Sequence, residues 1–281
     1  MATDVQGPSR SYVVTSGVFM HALPIIFLHG FPFNSSSWDD QVSYFNKRYQ
    51  VYAPDLRGHR TGAAPPGPWM IAHFAKDLLD FMDQKRIRRA IICGLSMGGY
   101  IALHFAAKYP DRIAGLILCD TRADADGNEA KDKRFETIQK VQKEGLEGFA
   151  KDFAKSVLSE ATLRSKPEIR DRVEKMILSN TAENVAMVAG ALASRSDHRA
   201  TLSGIKCPTA VFVGADDKVT PPDLSEVLAG GIEDAEFRII ENAAHLSNLE
   251  QPQAFNSYLE EFLDNFFASQ AESPRAYDQI S

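Results

Sequence analysis

The chain has 281 residues, of which 44% are hydrophobic and 24% charged, and its net charge is −6. That length can bury one large core, or a core with an inserted cap, and the composition is that of a soluble globular protein. The acidic balance and the lack of a dense basic cluster speak against a nucleic-acid partner, and the longest apolar stretches, such as residues 24–28, are far too short to span a bilayer.

Residues 1–9 are polar and carry no signal-peptide core, so they read as a flexible tail of a cytoplasmic protein. Residues 12–14 and 18–20 read as two short strands. The run 23–28, Leu-Pro-Ile-Ile-Phe-Leu, is continuously apolar, as in a strand covered on both faces. It ends in His29-Gly30-Phe31-Pro32-Phe33. Ser35 to Ser37 offer caps for a helix to about residue 45 that carries Trp38, Val42 and Phe45. A strand at 50–53 leads into Pro54-Asp55-Leu56-Arg57-Gly58-His59, and residues 63–68 form a Pro/Gly loop. Residues 71–84 read as a helix with Phe74, Leu78, Phe81 and Met82 on its apolar side.

An apolar run at 90–93 then meets Gly94-Leu95-Ser96-Met97-Gly98, followed by a helical pattern with Tyr100, Leu103 and Ala107 on one side. A strand, a tight turn and a helix with Gly-x-Ser-x-Gly at the corner form a nucleophile elbow. The strained turn lifts the Ser96 hydroxyl clear of the backbone. Gly94 and Gly98 are needed because a Cβ at either place would strike the neighbouring strand or helix. The Met97 N–H, at the helix N-terminus, can face a developing oxyanion.

Residues 113–119 form another buried strand, ending at Asp120-Thr121-Arg122. From there to residue 199 the texture is that of charged amphipathic helices. Phe149, Phe153, Val157 and Leu158 recur at helical spacing, as do Val173, Met176 and Ile177, and the segment 123–199 reads as an inserted helical lid. Strands resume at 209–213, before Gly214-Ala215-Asp216-Asp217, and at 236–240, before Asn242-Ala243-Ala244-His245. A last helix over 252–267 turns Phe255, Leu259, Phe262, Leu263 and Phe266 inward, and residues 269–281 form a loose tail. Strand and helix alternate, which predicts an α/β fold: a mostly parallel sheet with helices on both faces, formed by 10–122 and 200–268. Reacting groups then belong at the carboxyl ends of the strands.

A serine that attacks an acyl carbon needs a general base and a carboxylate that orients it. His245 follows the last strand and Asp217 the one before it, so the chain order is Ser96, Asp217, His245, that of an α/β-hydrolase triad. Asp216 is a neighbouring alternative for the acid, and Asp217 is preferred for its Asp-x-x-Thr-Pro turn. Asp120, also at a strand end, is an outside candidate whose simpler role is to fix the lid entrance through Arg122. Gly30 permits a sharp bend that brings the Phe31 N–H beside that of Met97 as a second oxyanion donor. Gly30, Phe33 and Trp38, with Phe31, Met97 and apolar lid groups, are candidates for the substrate pocket. His29 reads as a buttress rather than a rival base, His59 as structural and His104 as packing; His21, His73 and His198 have no feature that points to chemistry. The three cysteines, Cys93, Cys119 and Cys207, have neither metal-ligand spacing nor an even count for disulfides, and read as small core residues. No metal is expected, because no His/Asp/Glu cluster has metal spacing, and the reaction needs no organic cofactor.

Taken together, His-Gly-Phe-Pro, Asp-Leu-Arg-Gly-His, Gly-Leu-Ser-Met-Gly-Gly, Gly-x-x-Asp-x-x-Thr-Pro and Ala-His-Leu-Ser-Asn-Leu-Glu-Gln-Pro resemble the α/β-hydrolase superfamily over nearly the whole chain. Within it the chain is similar to 3-oxoadipate enol-lactonases and small bacterial carboxylesterases. The resemblance implies a Ser96–Asp217–His245 triad and a small-molecule ester or lactone as substrate. Three departures stand out: Arg60 where the family has glycine, a 16–23 segment without the usual glycine-rich hairpin turn, and a lid without the tryptophans of true enol-lactonases. The last favours a general esterase. Lactonase and perhydrolase chemistry use the same triad, as do C–C bond hydrolysis and cyanohydrin cleavage, and a hydrolase-like ligand receptor keeps it without turnover. The sequence assigns no oligomeric state.

Overall fold

The computed structural model describes residues 23–60 and 66–272. The strands expected at 12–14 and 18–20, the tail at 1–9, the first half of the 63–68 loop and the chain beyond 272 lie outside these residues. Six parallel strands form one sheet in the order β2-β1-β3-β4-β5-β6. They are β1 (Ile25–Leu28), β2 (Val51–Tyr52), β3 (Ala90–Leu95), β4 (Ile113–Cys119), β5 (Thr209–Gly214) and β6 (Glu236–Ile240). β1, β3, β4 and β5 are buried at every residue, while β6, at the edge, is largely half-exposed. This is why the central strands are continuous apolar runs and β6 is not.

The chain runs from β1 outward to β2, then crosses back over β1 to β3 on its other side. The strand order reverses there, so a crevice opens between the carboxyl ends of β1 and β3. Gly30 lies just past one of these ends and Ser96 just past the other.

Helices α1 (Asp39–Phe45), α2 (Ile71–Gln84), α3 (Met97–Lys108), α9 (Pro222–Gly231), the short α10 (Ser247–Glu250) and α11 (Pro252–Glu272) accompany the sheet. Between β4 and β5 come α4 (Asn128–Glu144), α5 (Glu147–Val157), α6 (Glu160–Ser165), α7 (Pro167–Leu178) and α8 (Ala182–Ala193). The helical insertion expected over 123–199 is thus five helices, with Phe149, Val157, Leu158, Val173, Met176 and Ile177 buried in it. Among the described residues no helix is long and apolar enough to cross a membrane.

Several local expectations need correction. The segment before α1 is a 3-10 turn, Ser35–Trp38, capped by Asn34, whose side chain accepts from the Ser36 N–H, and not by the serines. Helix α3 has no single apolar face. It is buried almost all round from Met97 to Ala106 because it lies against the sheet centre, and Ala107 is exposed. Helix α9 was not expected, and α11 continues to Glu272, past the predicted start of the tail. Arg60 sits at φ 58°, the left-handed region a glycine would adopt. Its N–H donates to Asn180 Oδ1 at 2.7 Å and its Nε stands 3.2 Å from Asp55 Oδ2, so the arginine ties this loop to the segment between α7 and α8.

Candidate active site

Ser96 joins β3 to α3 at φ 52°, ψ −112°, the strained elbow its sequence predicts. Backbone contact enforces it. A Cβ on Gly94 would lie 2.4 Å from Gly98 O, and one on Gly98 would lie 2.1 Å from Leu28 O. Ser96 N–H donates to Cys119 O at 2.9 Å, and its carbonyl accepts from the Thr121 hydroxyl at 2.8 Å. A Cβ on Gly99 would meet that same Thr121 side chain at 2.5 Å. Met97 is the first residue of α3, so its N–H has no acceptor within the helix.

The structure brings Ser96, His245 and Asp217 into one hydrogen-bonded row. Ser96 Oγ is 2.9 Å from His245 Nε2, and His245 Nδ1 is 2.8 Å from Asp217 Oδ2. All three are buried, with Ser96 8% exposed. Asp217 also accepts from the Val219 and Thr220 N–H groups and from the Thr220 hydroxyl, at 2.8, 3.0 and 2.8 Å. Asp216, the neighbouring alternative, is exposed and meets the site only by its backbone, which donates to Ala243 O.

The electrostatics follow from the pairing. Burial works to lower the His245 pKa, but the charge and hydrogen bond of Asp217 outweigh it and hold the imidazole above its ordinary 6.5. Burial works to raise the Asp217 pKa, and the same pairing holds its carboxyl below the usual range. The two therefore titrate as a pair.

Gly30 stands beside the serine. A Cβ there would lie 3.2 Å from Ser96 Cβ and 3.4 Å from Phe33 Cδ2. The Phe33 ring and the Ser96 side chain thus flank Gly30. Phe153 of α5 packs on these aromatics, its ring meeting both Phe31 and Phe33 at 6.0 Å. Trp38 is elsewhere. It is fully buried between Phe27 and Phe255, with ring centroids 4.8 and 5.8 Å away, so it belongs to the core and not to the pocket. Its indole is the largest apolar surface in that loop, and the core claims it.

His29 is a buttress. Its Nδ1–H donates to Gly30 O at 2.9 Å and its Nε2 accepts from the Leu56 N–H at 3.0 Å; burial lowers its pKa to about 4. His59 packs edge-on to it at 4.6 Å, with its pKa lowered to about 3, mainly by burial. His104 and His198 pack edge to face at 5.6 Å, on the far flank of α3. Cys93 and Cys119 are buried in β3 and β4, and Cys207 is half-buried. Among the described residues no three His, Cys, Asp or Glu side chains are grouped to hold a metal ion.

Of two buried carboxyl groups around the His245 loop, sequence reasoning did not single out Glu250 and gave Asp120 the wrong partner. Glu250 accepts from the Ala244 N–H at 2.8 Å and from the Ser159 N–H of the insertion at 2.9 Å. Asp120 does not pair with Arg122. It accepts from the Gly214 N–H at 2.8 Å and from the Ser247 hydroxyl at 2.5 Å. Arg122 turns instead to Asp126, which Arg134 and Arg195 also meet. Position directly after a strand was the available signal for Asp120, and for Glu250 it was a place within the segment 244–252 that carries the family resemblance.

Residues 24–252 match the α/β hydrolase fold family, and the chain belongs to it. It is a hydrolase of the α/β fold. Among solved structures it is similar to a thermophilic esterase from Thermogutta terrifontis, determined with malate bound, at 34% identity and TM-score 0.85, covering 92% of this chain and 99% of that one. The enol-lactonase from Burkholderia xenovorans matches at 30% identity and TM-score 0.81, over 87% and 92% of the two chains. Among characterised sequences, 3-oxoadipate enol-lactonase 2 of Acinetobacter baylyi is 32% identical over 242 residues, 86% of this chain and 89% of that protein.

Proposed function

We propose that the protein hydrolyses small carboxylic esters through an acyl-enzyme on Ser96. The observation that carries this reading is the unbroken row of hydrogen bonds from Ser96 Oγ through His245 to Asp217. His245 Nε2 takes the hydroxyl proton as Ser96 Oγ attacks the acyl carbon. Asp217 holds the imidazole with Nδ1–H toward itself and stabilises the imidazolium. The N–H groups of Phe31 and Met97 receive the oxyanion. His245 returns the proton to the departing alcohol, then activates a water that releases the acid. The reaction draws on no metal or organic cofactor.

The insertion between β4 and β5 acts as the lid in this reading. The acyl group lies against Gly30, Phe31 and Phe33, under Phe153. An aromatic roof on Phe31 and Phe33 favours short acyl chains. A lactone is an internal ester opened by the same steps, and the similarity to two enol-lactonases supports it as the second reading.

The test is a panel of p-nitrophenyl esters of rising acyl length plus a small lactone. Short esters are expected to turn over, and Ser96→Ala to lower kcat by about a millionfold. Equal activity in Ser96→Ala removes the nucleophile assignment. Phe153→Ala is expected to shift the optimum toward longer chains; an unchanged profile removes Phe153 from the pocket.

A further inference from the structure

Asp120 is a fully buried carboxyl that this reaction does not use. It follows β4 directly, at φ 46°, a left-handed conformation that non-glycine residues rarely adopt. Its N–H donates to Phe212 O of β5 at 2.9 Å. Its Oδ1 accepts from Gly214, three residues before Asp217, and its Oδ2 meets Ser247, two residues after His245. Gly214 is itself pressed on the histidine loop: a Cβ there would lie 2.1 Å from Ala244 O. The next residue, Thr121, holds the Ser96 carbonyl and packs against Gly99. The pair Asp120-Thr121 therefore touches the segments that carry all three members of the row.

We propose that Asp120 is a positioning residue for Ser96, His245 and Asp217, holding the acid-bearing and base-bearing loops in register through Gly214 and Ser247. The inference rests on the serine mechanism above. Burial raises the Asp120 pKa well above the usual carboxylate range, and the charge of Asp217 pushes the same way; His245 and the two hydrogen bonds oppose them. Cys119, immediately before it, is itself held protonated by burial, with Cys93 behind it, and Arg134 acts on His245 from α4. The carboxyl accepts from the Gly214 N–H through Oδ1 and from the Ser247 hydroxyl through Oδ2. An asparagine reproduces both contacts, with its oxygen toward Gly214 and its NH2 toward Ser247.

The experiment measures kcat, KM and the pH profile on p-nitrophenyl acetate for wild type, D120N, D120A, S247A and D120A/S247A, well below each melting temperature. D120N is expected to keep kcat within about threefold, with the acid limb of kcat/KM in place. D120A is expected to lose about 10- to 100-fold in kcat with KM nearly unchanged, the size of effect that a misplaced catalytic group produces. S247A is expected to lose about tenfold, and the double variant no more than D120A alone, because both remove one linkage. Wild-type kcat in D120A or S247A overturns the proposal, whatever the melting temperature does. D120N as impaired as D120A, with the acid limb moved to lower pH, also overturns it, since charge and not position is then what matters. If D120A does not fold, D120N and S247A decide alone. A wild type that turns over no ester overturns the serine mechanism and this inference together, whereas an active wild type beside an unaffected D120A overturns the inference alone.

Discussion

Every residue of β3 and β4 is buried, whereas α4 buries only Val141 among its 17 residues. Glycine shows the same division. In the sheet region a Cβ on Gly98 or Gly214 would lie 2.1 Å from a backbone carbonyl, while on Gly148 of α5 or Gly190 of α8 it would meet nothing within 4 Å. Two backbones in contact can yield only by moving a strand end, and the strand ends carry Ser96, Asp217 and His245. A helix held by side chains can shift or change its residues without that consequence. In the proposed mechanism the reaction thus depends on the sheet, and what covers the site on the insertion.

The contrast can be broken most severely at Asp217. Asp217→Asn is expected to lower kcat by about 10⁴-fold, because the imidazole loses its orienting partner. The pH profile carries the sign. In wild type His245 loses its proton above 6.5, so the acid limb of kcat/KM lies above that value. Without the carboxylate, burial remains and lowers the pKa, so the limb moves below 6.5. A limb that stays in place contradicts the pairing.

Gly98→Ala comes next. With Leu28 O only 2.1 Å from the new Cβ, α3 must leave β1. A loss of at least about 3 kcal/mol is expected in denaturant unfolding, together with loss of activity. At the seam between the two regions, Glu250→Gln leaves one acceptor oxygen for the two N–H groups of Ala244 and Ser159. About 2 kcal/mol of stability should go, and about tenfold in kcat/KM. The smallest effect belongs to the insertion alone. Gly190→Ala, in the open helix α8, should add about 0.5–1 kcal/mol and leave kcat/KM unchanged, which melting curves and initial rates check. Damage of Gly98→Ala size at position 190 would erase the distinction between the two regions.

Much of the fold was legible because the signals are local. The run 25–28 had to be a strand covered on both faces, and Gly94-Leu95-Ser96-Met97-Gly98 had to be a tight corner. Asp217 and His245 were legible as residues directly after strands. Trp38 was not, because a large apolar ring in a loop near the site reads the same whether it faces a substrate or the core. Arg60 departs from the family's glycine, yet it takes the glycine conformation, held by Asn180 and Asp55, partners 120 and 5 residues away in the chain. Asp120 carries no motif, and the motif that holds Glu250 does not say which groups its carboxylate accepts from. Their meaning lies in donors contributed by other strand ends and by the insertion.

Alternating apolar runs and turn residues were enough to establish a parallel α/β sheet, a serine at its sharpest corner and the order of the acid and base behind it. Those properties depend on neighbours within a few residues. Tertiary structure alone sent Trp38 into the core and set Asp120 and Glu250 against the histidine loop. Which strand ends lie side by side follows from crossovers tens of residues long, and hydrogen bonds between those ends exist only once the sheet has assembled.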